Sequence, residues 1–224
     1  MENNIPDIRK VYARFSVPPN LAEHMKTVAQ VVRVIRNHWQ GVPIDWDFII
    51  LAALLHDIGN IVKFNFEAHP EFLGDEVVNI EHWKVVQRDI IARYGKDDHL
   101  ASGNMLRELG VSQELLSTIQ DKSFANAIEV AAGSDWNAKI LLYADMRVMP
   151  HGVATLEERL ADVRHRMPQY YERPDFENLL DAARDIETQI STHLDDTVAD
   201  IRWEKNTESD EDFDDVSQRL FSEG

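Results

Sequence analysis

Apolar residues recur at the spacing of an α-helix along almost the whole chain, and no stretch shows the alternation of a convincing β-strand. The pattern therefore predicts an all-α protein. Residues 64–79 are predicted to form a loop, because Pro70 and Gly74 interrupt the helical spacing. The predicted helices span, approximately, residues 21–37, 46–57, 80–94, 99–109, 112–120, 135–148, 155–167 and 175–206.

Two of these segments are apolar on every side, which is typical of helices buried in a core. One runs from Phe48 to Leu55 and ends in the tetrapeptide His56-Asp57-Ile58-Gly59. The other, from Ile140 to Met146, is interrupted by one carboxylate, Asp145. Burying ionisable groups is costly, so both places need a cation or strong hydrogen-bond donors.

The C-terminal region has a different pattern. The helix predicted from about Asp175 to Asn206 is highly charged and carries one narrow apolar stripe, which favours packing along the protein body over pairing with a second subunit. The acidic residues that follow predict a disordered, solubilising tail. The alternative is that its apolar residues dock as a short helix. The predicted division is a globular domain over 1–170, the long helix region over 171–206 and the tail over 207–224.

Composition limits the kinds of ligand and partner. The chain has 224 residues, a net charge of -17 and no cysteine, so histidine, aspartate and glutamate are the strong metal ligands that remain. A chain this acidic is not expected to bind long nucleic acid, although a bound cation can still create a pocket for a small phosphorylated molecule. The absence of a membrane-spanning run and of a secretory pattern at the N-terminus predicts a soluble, cytoplasmic protein.

Histidine and aspartate side chains point inward from three predicted helices. His56 and Asp57 are adjacent, so they reach one ion only if it lies beyond the helix end, because successive helical residues point ~100° apart. His24 lies on the apolar face of its own helix. Each residue also has a simpler explanation. His24 is then a core histidine, and His56 and Asp57 form a hydrogen-bonded pair. Asp145 is then paired with Arg147.

A single divalent cation explains these residues together. His24, His56, Asp57 and Asp145 would supply two nitrogens and two carboxylates and leave positions open for water. A mixed set of this kind favours Fe, Mn, Co, Ni or Zn, with Mg also considered. The sequence therefore predicts one divalent metal ion.

Several motifs resemble the HD superfamily of metal-dependent phosphohydrolases. They are "LAEHMKTVAQVV" around His24, "AALLHDIGN" around His56 and Asp57, "HLASGNMLRELG" further on, and "LLYADMRV" around Asp145. The resemblance covers residues 21–148. It implies a helical bundle with the metal at its centre and hydrolysis of a phosphoester or phosphoanhydride bond by a metal-bound hydroxide. Nucleotides are the commonest substrates of the family, so the resemblance implies a nucleotide substrate.

The chain also departs from parts of the family pattern. Members with two metals carry further histidines, and His99 fits the first such position, whereas Asp121-Lys122 stand at the second. This departure favours one metal, with His82 and His99 as candidate ligands for a second metal or for the substrate. Asn60 stands where some nucleotidase members have a glutamate, so the general base is not assigned.

Cations near the motif are candidates for binding the substrate phosphate. They are Lys63, Lys122 and Arg147, each with a surface charge as the alternative interpretation. Two rival functions are a binuclear phosphodiesterase or dinucleoside polyphosphate hydrolase, and a non-catalytic HD module that binds a nucleotide. The expected partner is a small phosphorylated substrate rather than long nucleic acid or a membrane, and the protein is predicted to be a monomer or a homodimer.

Overall fold

A computed structural model describes residues 7–150, 152–195 and 213 of the chain. Within them, nearly all regular structure is helical, with one pair of two-residue strands. The all-α prediction is confirmed. The α-helices are α1 (Ile8–Arg14), α2 (Pro19–His38), α3 (Trp46–Leu55), α4 (Ile80–Tyr94), α5 (Asp98–Leu109), α6 (Gln113–Asp121), α7 (Ala127–Ala132), α8 (Trp136–Met146), α9 (Leu156–Arg166), α10 (Pro168–Tyr171) and α11 (Phe176–Ser191). Three 3-10 helices span Asn60–Lys63, Pro70–Asn79 and Phe124–Asn126.

The described residues group into two compact units. Unit 1 contains the described residues within Met1–Lys26, Leu54–Gln120 and Thr207–Gly224, and unit 2 those within Thr27–Ala53 and Asp121–Asn206. Helices α1, α4 and α5 therefore belong to unit 1, whereas α8, α9 and α11 belong to unit 2. Each unit contains buried apolar side chains, which are the source of most of its folding free energy.

Helix α5 is the main support of the segment that follows α3. It begins where the carboxylate of Asp97 accepts a hydrogen bond of 2.8 Å from the backbone N–H of Leu100, because this cap satisfies a donor of the first turn. It ends at Gly110, whose φ of 83° lies in the left-handed region that glycine adopts without penalty. Between these ends, α5 packs against α4 and against the 3-10 helix Asn60–Lys63.

Helix α3 ends earlier than its apolar pattern predicted. The prediction extended the helix through Asp57, whereas the helix ends at Leu55 and residues 56–59 form a turn. The following segment also differs from the prediction of a loop over 64–79, since Pro70–Asn79 form a 3-10 helix with a kink at Gly74. The φ of Gly74 is +54°, which glycine adopts most easily.

Unit 2 contains the only strands among the described residues. Val148–Met149 and Gly152–Val153 pair in an antiparallel hairpin directly after α8. The sequence pattern did not predict them, because two residues are too few to show an alternation. Helix α9 follows, and its start is stabilised by a reciprocal cap between Thr155 and Glu158.

Helix α11 is shorter than predicted. It ends at Ser191, and Leu194 instead pairs with Trp39 in an isolated β-bridge. The backbone N–H of Asp195 donates to the carbonyl oxygen of His38 at 3.0 Å, which draws the chain away from a helical path. Before that point the apolar stripe is buried and α11 packs against α7, α8 and α9. The buried stripe residues are Leu179, Ala183, Ile186 and Ile190.

The end of the chain lies mostly outside the described residues. This applies to residues 196–206 of the predicted long helix and to the predicted acidic tail over 207–224, apart from Phe213. Phe213 is only 1% exposed. No helix in the described part of the chain combines the length and the apolar character that crossing a membrane requires.

A buried hydrogen-bond network joins α8 to α11 within unit 2. The hydroxyl of Tyr143 donates to a carboxylate oxygen of Glu187 at 2.8 Å and accepts a hydrogen bond of 2.6 Å from the guanidinium of Arg147. Arg147 also donates from Nε to the carbonyl oxygen of Ala154 at 2.5 Å. Burial raises the pKa of Tyr143 above its usual value; Arg147 opposes the shift and Glu187 adds to it. The hydroxyl is therefore protonated at neutral pH, so it can donate to Glu187.

Tyr143→Phe is expected to lower the free energy of unfolding by about 1–3 kcal/mol, because Glu187 and Arg147 each lose a buried partner. The midpoint of urea denaturation, followed by circular dichroism, measures this change. Tyr171→Phe serves as the control, because Tyr171 is 40% exposed and its change should stay within about 0.5 kcal/mol. Equal midpoints for both variants would show that the network does not contribute to stability.

Candidate metal centre

His56 and Asp57 lie in the turn that follows α3. Because the helix has already ended at Leu55, neither side chain is constrained to the angular spacing of a helix. Both are buried, with 2% of His56 and 9% of Asp57 exposed. The turn thus places two ionisable side chains beyond a helix end, where they can approach one ion.

His24 reaches the same place from α2. It shares a helix face with the buried residues Leu21 and Val28. Its Nε2 lies 3.8 Å from Oδ2 of Asp57, and Nε2 of His56 lies 3.6 Å from Oδ1 of Asp57. The two imidazole rings lie 5.3 Å apart between centroids, at an angle of 64°. The structure therefore brings these three predicted ligands together.

The distances distinguish a hydrogen-bonded pair from ligands that share a cation. A direct N–H···O bond spans about 2.7–3.2 Å, which is shorter than both separations. Two ligand atoms that each lie about 2.1 Å from one ion are roughly 3–4 Å apart. The observed 3.8 and 3.6 Å fit the second arrangement.

Asp145, the remaining predicted ligand, belongs to unit 2. Asp145 lies in the last turn of α8, next to buried residues on either side. One of its carboxylate oxygens lies 3.5 Å from Nζ of Lys122, whose side chain is only 11% exposed. Imidazole nitrogens with carboxylates form a donor set that suits a divalent transition metal.

Comparison with known protein families gives a match to one family model. A family model described as "HD domain" matches residues 21–145, more than half of the 224 residues. The chain belongs to the HD domain family. The resemblance found in the motifs is thus confirmed. Comparisons with curated proteins and with solved structures found no match.

The limits of the HD match coincide with the candidate centre. It begins on α2 at Leu21, three residues before His24, and ends at Asp145 itself. HD domains are typically metal-dependent phosphohydrolases, and unit 1 of this one contains a candidate His/Asp metal site in His24, His56 and Asp57. Helices α9 and α11 lie beyond the matched region.

The two histidines predicted as ligands for a second metal or for the substrate lie on the surface. His82 is exposed on α4, where its ring contacts Trp83 edge-on at 5.3 Å between centroids. His99 is exposed in the first turn of α5. Neither belongs to a candidate metal group in the part of the chain that the structure describes. Their assignment to a second metal or to the substrate stays a prediction.

Lys63, a predicted phosphate ligand, lies at the end of the 3-10 helix that follows the His-Asp turn. Its Nζ donates a hydrogen bond of 2.7 Å to a carboxylate oxygen of Asp98. Burial acts to raise the pKa of Asp98, but the charge and hydrogen bond of Lys63 outweigh it and the pKa is lowered. Asp98 is therefore ionised at neutral pH and offsets much of the charge on Lys63.

The other two predicted phosphate ligands lie in contrasting environments. Arg147 is 2% exposed, and its guanidinium donates hydrogen bonds to the hydroxyl of Tyr143 and to the carbonyl oxygen of Ala154. Binding a phosphate would require these hydrogen bonds to break. Lys122 lies beside Asp145. Lys122 thus contacts the side chain of a predicted metal ligand. Asn60, at the position where some nucleotidase members have a glutamate, is buried in unit 1.

Proposed function

We propose that this HD domain hydrolyses a phosphoester or phosphoanhydride bond in a small phosphorylated molecule, a nucleotide, with one divalent metal ion. The observation that carries the proposal is the spacing of the candidate ligands. Asp57 places one carboxylate oxygen 3.8 Å from Nε2 of His24 and the other 3.6 Å from Nε2 of His56, and these separations suit ligands of one ion.

Four side chains would hold the ion: His24, His56, Asp57 and Asp145. When bound, such an ion polarises a phosphate oxygen and lowers the pKa of a coordinated water. Fe, Mn, Co, Ni or Zn suits the mixed nitrogen and oxygen ligands, and Mg is the alternative. The two carboxylates offset the charge of a divalent ion, and the low exposure of His56 and Asp57 limits competing water.

Lys122 is the side chain that we assign to the substrate phosphate. Its ammonium group lies 3.5 Å from the Asp145 carboxylate and is largely shielded from solvent, which strengthens its interaction with an anion. Charge that develops on the phosphate during hydrolysis would be offset at this position. Asn60 is an amide and cannot accept the proton of the attacking water, so it is not the general base.

The charge of the chain supports a small substrate. With a net charge of -17, the protein repels a long polyanion. The binding of a single phosphate group depends instead on nearby charges, for which we propose the metal ion and Lys122. A nucleotide is proposed because nucleotides are the commonest substrates of the family that the motifs resemble. Among the contacts of the described residues, none favours a second function.

A metal-dependent turnover screen tests the proposal. The purified chain is stripped with a chelator, reloaded separately with Mn, Co, Ni, Zn, Fe or Mg, and incubated with nucleoside mono-, di- and triphosphates and with p-nitrophenyl phosphate. We expect phosphate release that requires the metal, with one ion per chain by elemental analysis. Two tightly bound ions per chain would instead indicate the binuclear alternative. Tight nucleotide binding without turnover under every metal would indicate a non-catalytic module.

A further inference from the structure

Hydrogen bonds from neighbouring helices hold the backbone of the segment that carries His56 and Asp57. The first lies just before the two ligands. The hydroxyl of Tyr12, on α1, donates to the carbonyl oxygen of Leu54 at 2.7 Å, and the contact is buried. Carbonyl groups in the last turn of a helix lack partners within the helix. Tyr12 therefore supplies a hydrogen bond at the end of α3 and fixes the point where the turn begins.

The second hydrogen bond lies just after the ligands. The backbone N–H of Gly59 donates to Oγ of Ser102, on α5, at 3.1 Å, again in a buried environment. The two chain segments approach closely here, because a Cβ added at Gly59 would lie 2.5 Å from the backbone nitrogen of Ser102. Ser102 thus fixes the end of the turn against α5.

A third side chain holds the segment that follows the turn. The amide of Gln87, on α4, donates to the carbonyl oxygens of Ile61 and Phe64 at 2.7 and 2.8 Å. Ile61 belongs to the 3-10 helix Asn60–Lys63, which packs on α4 and α5, and Phe64 directly follows that helix. Gln87 therefore holds the chain downstream of the turn in a defined position.

We propose that Tyr12, Ser102 and Gln87 are positioning residues that hold His56 and Asp57 in the geometry that binds the metal. This inference rests on the proposed function. Side chains from three helices hold backbone groups on both sides of the two ligands, within unit 1. A ligand pair in a turn, rather than in a helix, depends on such external hydrogen bonds for its orientation. Loss of one of them loosens the ligands without removing any ligand atom.

The test uses Tyr12→Phe, Ser102→Ala and Gln87→Met, which remove hydrogen-bonding groups and keep much of each side chain. Cobalt binding to the chelator-stripped full chain is titrated by calorimetry and by the visible absorption of Co²⁺, well below the unfolding temperature of each variant. Groups that orient metal ligands typically change affinity by about 10–100-fold. We expect Co²⁺ binding at least about 10-fold weaker in each variant, with an altered absorption spectrum.

Tyr94→Phe provides the matched control. Tyr94 is a buried tyrosine of the same unit, and its hydroxyl donates to the carboxylate of Glu108 at 2.8 Å rather than to the turn. We expect it to lower the unfolding temperature at most, with unchanged cobalt affinity and spectrum. The same behaviour in Tyr12→Phe, Ser102→Ala and Gln87→Met would overturn the positioning role while leaving the proposed function intact. Failure of the wild-type chain to bind cobalt would overturn both.

If one of the three variants does not fold, the other two decide the outcome. Ser102→Ala removes a single oxygen and is the smallest change. If the replaced residue has only a structural role, the variant loses thermal stability, but the Co²⁺ spectrum of its folded fraction is the same as that of the wild type. For a positioning role, the spectrum changes at temperatures where the protein is fully folded.

Discussion

Replacing Asp57 with alanine is expected to abolish metal binding and phosphohydrolase activity while leaving a folded helical protein. Its two carboxylate oxygens lie 3.8 and 3.6 Å from Nε2 of His24 and of His56, so the substitution removes the group that is adjacent to both histidines. Metal activation is worth several kcal/mol in the transition state, so turnover is expected to fall by about a thousand-fold or more.

Elemental analysis after dialysis, steady-state turnover and far-ultraviolet circular dichroism measure the three parts of this prediction. Thermal unfolding adds a fourth, because an ion that binds only the folded state raises the unfolding temperature of the wild type and not that of Asp57→Ala. Asp89→Asn is the control, since Asp89 is an exposed aspartate of α4, and it should match the wild type. Full turnover in Asp57→Ala would show that the ligand assignment is wrong.

The sequence predicted the long helices because their apolar residues recur over several turns. Helices α2, α3 and α8 carry enough of these residues to define a face, or a fully buried cylinder. Short elements had no such signal. Helices α1, α7 and α10, with seven, six and four residues, were not predicted. The two-residue strands of the hairpin were missed for the same reason.

Helix ends were predicted less well than helix positions, because distant residues determine them. The apolar run and its His-Asp end gave no sign that α3 stops at Leu55, where the carbonyl oxygen of the preceding residue bonds to Tyr12. Likewise, the end of α11 at Ser191 follows from the pairing of Leu194 with Trp39, far away in sequence. The spacing of apolar residues indicates which helix face is buried. It does not indicate which distant group forms a hydrogen bond with the backbone at a helix end.

The candidate metal residues could be predicted because each is a polar exception in an apolar context. Such exceptions stand out wherever the surrounding pattern is strong, as at His56 and Asp145. Residues that support a backbone give no comparable signal. Three ordinary residues of amphipathic helices, Tyr12, Gln87 and Ser102, have this role. Only the structure shows which backbone groups their side chains contact. The contact between Lys122 and Asp145 required the structure as well.

Gly59→Ala is expected to destabilise unit 1 and to weaken metal binding. An added Cβ would lie 2.5 Å from the backbone nitrogen of Ser102, 2.7 Å from its Oγ and 3.0 Å from the carbonyl carbon of Ala101. Two of these atoms belong to the backbone of α5, so a side-chain rotation cannot relieve the overlap. Gly59 has a φ of -97°, which other residues also adopt. The requirement for glycine is therefore one of space.

Overpacking of this kind costs about 3 kcal/mol, which corresponds to a fall of roughly 6–12 °C in the unfolding temperature of a chain of this size. Separating α5 from the turn also breaks the Gly59–Ser102 hydrogen bond, so Co²⁺ affinity should fall by about 10-fold. Scanning calorimetry and cobalt titration measure the two effects. An unfolding temperature within about 1 °C of the wild type would contradict the close packing.

Gly103→Ala is the matched control on the same helix. A Cβ at Gly103 would lie 3.2 Å from Nη1 of Arg107 and 3.6 Å from Nε2 of Gln120, and both of these atoms end flexible side chains. Replacing an interior helical glycine with alanine favours the helix by about 1 kcal/mol, so its unfolding temperature should equal or exceed that of the wild type. A lower unfolding temperature for Gly59→Ala together with an equal or higher one for Gly103→Ala would show that the HD motif requires glycine because α5 packs directly against the turn.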